Sequence, residues 1–210
     1  MLVGVLFALF GQIYQTGANA YDFFLAWTLF ITLWVLISNF PPLWLVYLVL
    51  LNVTLITYAN QVAHEWSEIT LFTLLFGLNT VYLILPMIIS RFNQEVKVPR
   101  WFTNAVALTA VTYATIGMVI VIVDHYEAVS LVLSLLTLTL YTAAILQGFK
   151  EKNIFYLSLI PFSLIILITT LIIEVSGTGK DSVFLFTSLF VVGSVTQCIR
   201  RFCDVERRHF

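Results

Sequence analysis

The chain has 210 residues, 60% of them hydrophobic and only 10% charged, against about 25% charged in ordinary soluble domains. No stretch carries enough charge to coat a soluble core, which excludes a conventional soluble domain. The net charge of -1 is uninformative, and no basic patch away from the ends of the apolar segments points to nucleic acid.

Eight hydrophobic segments follow one another, roughly Leu2–Tyr14, Tyr21–Asn39, Leu43–Tyr58, Ile69–Ser90, Phe102–Val123, Ala128–Gln147, Ile154–Ile173 and Val183–Ile199. Most are close to the roughly 17–25 residues that a helix needs to cross a hydrocarbon layer of ~30 Å. They must be helices, because open strands would leave backbone groups unsatisfied in lipid, and the period-two alternation of a membrane barrel is missing. The first segment is short and carries Gln12 and Gln15. It fits either a span or a cleaved signal ending at Ala18-Asn19-Ala20, although no Lys or Arg follows Met1. Pro41-Pro42 separates the second segment from the third, since proline lacks an N–H and restricts the residue before it. Pro161 is expected to kink the seventh. Trp44, Trp66 and Trp101 fall near segment ends, where an indole anchors at the headgroup level. Trp27 and Trp34 share a helix face and read as packing or lipid contact.

The connecting loops alternate in charge. Arg91, Lys97 and Arg100 lie in one, Lys150 and Lys152 two segments later, and Arg200, Arg201, Arg207 and Arg208 after the last. The loops between hold Glu65 and Glu68, then Asp124 and Glu127, then Glu174 and Asp181 beside Lys180. The positive-inside rule places the basic loops in the cytoplasm. The expected architecture is all-α: a polytopic transmembrane helix bundle of seven or eight spans with a cytoplasmic C-terminus. Residues 1–199 form a single transmembrane domain and residues 200–210 a basic cytoplasmic tail.

In lipid, close backbone approach and interhelical hydrogen bonds hold helices together. The fifth segment offers a small-residue seam of Ala107, Ala110, Ala114 and Gly117, and the sixth a hydroxyl stripe of Ser130, Ser134, Thr137 and Tyr141. With so short a loop between them, these two segments are expected to pair antiparallel, with the seam against a neighbouring helix. Gly4, Ala8 and Gly11 form a similar seam in the first segment.

No Asp, Glu, Lys, Arg or His falls in the middle of a segment. Proton- and ion-coupled carriers usually need such groups, so this lowers the case for coupled transport. The intramembrane polar groups are the amides Gln12, Asn52 and Asn79, which need partners in hydrocarbon; they read as interhelical hydrogen bonds or as the lining of a polar cavity. His64, Glu65 and Glu68 on one loop and Asp124, His125 and Glu127 on another carry metal-ligand chemistry. Such residues in a loop are ordinarily solvated, and His64-Glu65-Trp66-Ser67-Glu68 lacks the second His of a zincin helix, so no metal or cofactor is assigned. Gly177-Thr178-Gly179-Lys180 is too short for a phosphate-binding loop, and no Gly-x-Ser-x-Gly elbow occurs. Cys198 and Cys203 lie at the expected cytoplasmic end, where a structural disulfide is disfavoured, and they lack the other half of a zinc site.

The stretch Phe7-Ala8-Leu9-Phe10-Gly11-Gln12-Ile13-Tyr14-Gln15-Thr16-Gly17-Ala18-Asn19-Ala20-Tyr21-Asp22, continued by Phe24-Leu25-Ala26-Trp27, resembles a family of bacterial predicted inner-membrane proteins of unknown function. Their pattern is a span ending in G-Q-I-Y-Q, a short Gly-containing turn and an aromatic span with L-x-W. The match is specific over about the first 60 residues and loose afterwards. In that family further spans precede the motif, so the resemblance implies a chain that is the central and C-terminal part of such a protein, or a shortened member. It implies a class and a bacterial inner-membrane location, supplies no reaction, and suggests that Gln12, Tyr14 and Gln15 matter.

The leading expectation is a non-enzymatic multi-pass component acting through helix–helix contact, with the lipid bilayer and a membrane protein or a second copy as partners. The alternatives are a transporter or lipid-handling protein for a neutral or amphipathic solute, with a cavity lined by Gln12, Asn52 and Asn79, and an external metal-dependent enzyme using His64 and His125.

Overall fold

The computed structural model describes residues 20–92, 98–124, 128–151 and 153–176, with Val5, Leu9, Ser188, Val191 and Gly193. Six long helices form among these residues: α1 Ala20–Ile37, α2 Pro41–Gln61, α3 Glu68–Phe92, α4 Arg100–Asp124, α5 Ala128–Glu151 and α6 Ile154–Ser176. No strand occurs among the described residues. All six are long and apolar enough to cross a membrane; the shortest, 18 residues, is about 27 Å long. They correspond to the second through seventh hydrophobic segments. All but a few residues of the first and eighth, and with them Gln12, Tyr14 and Gln15, lie outside the described residues.

Local chemistry sets the ends. Pro41 and Pro42 are the first residues of α2 rather than part of the break before it, because a first-turn residue has no intrahelical use for an N–H. The Trp44 indole N–H donates back to the Ser38 carbonyl (3.0 Å) and closes the tight α1–α2 turn. Ser67 caps α3, its hydroxyl accepting the Thr70 N–H at 3.2 Å. Asn153 caps α6, its side-chain oxygen accepting the Phe155 N–H at 3.1 Å, while its own N–H returns to the Gly148 carbonyl at 3.0 Å. Pro86 lies inside α3 and Pro161 inside α6, and each removes one donor from its helix ladder.

The contacts gather into two compact units, Met1–Ala110 and Val111–Phe210, the division falling within α4. In the first, α1 packs on α2 and α2 on α3. Leu48, Phe102 and Val106 form a buried cluster, with Trp44, Leu45, Tyr82, Leu83 and Val98 around it. The Trp44 and Phe102 rings meet edge to face at 5.9 Å between centroids. In the second unit, α5 packs on α6. A Cβ at Gly148 would meet the tip of the Leu157 side chain, so α6 packs close to α5 just after their turn.

The molecule is apolar outside and partly polar inside. Leu33, Ile37, Leu131, Leu138 and Val175 are exposed, each by more than 60%, while Thr28, Asn52, Thr54, Asn79, Thr115, Ser130, Thr137 and Ser163 are buried. A protein folded in water has the reverse distribution.

Candidate functional site

The polar groups buried among the apolar helices are the candidates, and they fall into two sets, one in each unit. In the first unit Asn52 of α2 and Asn79 of α3 meet side by side, both buried. The Asn79 amide donates to the Asn52 oxygen at 2.6 Å and to the Leu75 carbonyl at 2.7 Å. Asn52 returns a bond to the Asn79 oxygen at 3.3 Å and gives its other hydrogen to the Leu48 carbonyl at 2.8 Å. Both donors of each amide are therefore used, one across the helix interface and one on the residue's own helix four positions back. Each oxygen keeps one free lone pair. As a cavity lining, the pair has almost nothing left to offer a solute; as a clamp, it is nearly saturated.

The same unit carries a second polar row between α1 and α2. The Thr28 and Thr54 hydroxyls lie 3.2 Å apart, and those of Thr32 and Tyr47 lie 3.0 Å apart. At the end of the row the Gln61 side-chain oxygen accepts the Tyr21 N–H at 2.9 Å, satisfying one of the free amides at the start of α1. The Tyr82 hydroxyl donates to the Trp44 carbonyl at 2.8 Å, tying α3 to α2.

In the second unit three hydroxyls from three helices converge: Thr115 of α4, Tyr141 of α5 and Ser163 of α6, all buried. Ser163 Oγ lies 2.6 Å from Thr115 Oγ1 and 2.6 Å from Tyr141 Oη. Thr115 donates to the Val111 carbonyl at 2.7 Å. Because each hydroxyl has one proton, that last bond orients the whole set. Ser163 must donate to Thr115, and Tyr141 to Ser163, so the bonds run Tyr141 to Ser163 to Thr115 to the Val111 backbone. Ser163 is the middle link, bonded on both sides.

The seam residues Ala107, Ala110, Ala114 and Gly117 are all buried. Along the stripe Ser130, Thr137 and Tyr141 are buried and Ser134 half-buried, its hydroxyl donating to the Ser130 carbonyl at 2.7 Å and reaching Met118 Sδ of α4 at 3.6 Å. Thr115 and Ser163 escape a reading of the sequence. The available signals were that Thr115 adjoins Ala114 in the seam and that Ser163 follows Pro161 by two positions.

His64, Glu65, Glu68 and Asp124 are exposed, and His125 and Glu127 lie outside the described residues. Among the described residues no three His, Cys, Asp or Glu side chains come together to hold a metal. No family model, no curated protein and no solved structure matches this chain.

Proposed function

We propose that this chain is a multi-pass protein of a bacterial inner membrane, with its basic loops and C-terminus in the cytoplasm, and that it is a non-enzymatic component working through helix–helix contact with membrane partners. The observation that carries the reading is the inverted distribution of polarity. The outer faces are Leu, Ile, Val and Phe, which suit acyl chains. The buried amides and most buried hydroxyls are bonded between helices or to their own helix backbone, and so serve association rather than chemistry. The alternation of basic and acidic loops supports the orientation. The G-Q-I-Y-Q resemblance supports the bacterial inner-membrane location.

The competing reading is a carrier for a neutral or amphipathic solute, lined in part by Asn52 and Asn79. Replacing both with Leu separates the two. The proposed reading expects weakened assembly and no solute phenotype; a change in solute accumulation with assembly intact would favour the carrier.

A further inference from the structure

We draw no further inference here: the strongest candidate, the row of Tyr21, Tyr58 and Trp66 rings at the α2–α3 end of the first unit, with the exposed carboxylates Glu65 and Glu68 flanking Trp66 in the chain, is an acidic cluster beside rings that already pack on one another, and nothing in the structure shows a ligand for it.

Discussion

Asn52 and Asn79, 27 positions apart in sequence, hold each other by reciprocal side-chain amide bonds and are each tied by a third bond to their own helix. The arrangement is symmetric in chemistry but not in strength, at 2.6 Å one way and 3.3 Å the other. Removing one partner leaves a buried amide with an unmet donor and acceptor. Such an orphan costs about 1–3 kcal/mol, and side-chain pairs between membrane helices average about 0.6 and reach about 1.7 kcal/mol. Asn79→Leu and Asn52→Leu are each expected to destabilise by about 1–2 kcal/mol in detergent or denaturant unfolding. The double variant is expected to lose clearly less than the sum, since no orphan remains. Additive losses would mean that the two amides are not coupled.

The hydroxyl chain in the second unit gives an ordered series. Ser163→Ala cuts both bonds of the middle link, whereas Tyr141→Phe removes only the first donor. Ser163→Ala is therefore expected to lose more stability than Tyr141→Phe, with single losses of about 0.5–1.5 kcal/mol per bond. Melting curves of the two variants in the same detergent decide the order, and the reverse order would contradict Ser163 as the link that carries two bonds.

At Gly148 the neighbour of an added side chain is Leu157 of α6. Leu157 is flexible at its tip, so Gly148→Ala is expected to cost little. Gly148→Val, which adds bulk the site has no room for, is expected to cost about 1–3 kcal/mol and to loosen the α5–α6 hairpin. Cysteine crosslinking between the two helices, compared with the parent protein, reads this directly.

Ala110 is fully buried whereas Leu108, on the same helix, is 48% exposed. Ala110→Leu forces four-carbon bulk into a closed space and is expected to cost about 1–3 kcal/mol. Leu108→Ala on the outer face is expected to change stability by about 0.5 kcal/mol or less. Equal detergent melts for the two variants would defeat the account of the seam.

Much of the helical scaffold was legible because long apolar segments without period-two alternation satisfy their backbone groups locally, as helices. Boundaries were less so. Pro41 and Pro42 look like a break in sequence yet begin α2, since only the first turn of a helix tolerates two prolines. The amides Asn52 and Asn79 stand out as the polar residues of two apolar runs, but nothing in their spacing shows that helix register brings them together. The hydroxyl chain was less visible still. Thr115 is indistinguishable in sequence from Thr109, which bonds only its own helix. What separates them is which helix faces each, a property of packing rather than of local pattern. Gln12, Tyr14 and Gln15, prominent in the sequence, lie outside the described residues.

The central claim is that this chain works by holding membrane partners through its helices. The most direct measurement is affinity purification of the C-terminally tagged protein from its own membranes in mild detergent, with mass spectrometry of everything retained. The account predicts a stoichiometric membrane-protein partner, or a stable complex of identical copies. A monomer that carries only a defined lipid or small solute would contradict it and move the assignment to transport or lipid handling.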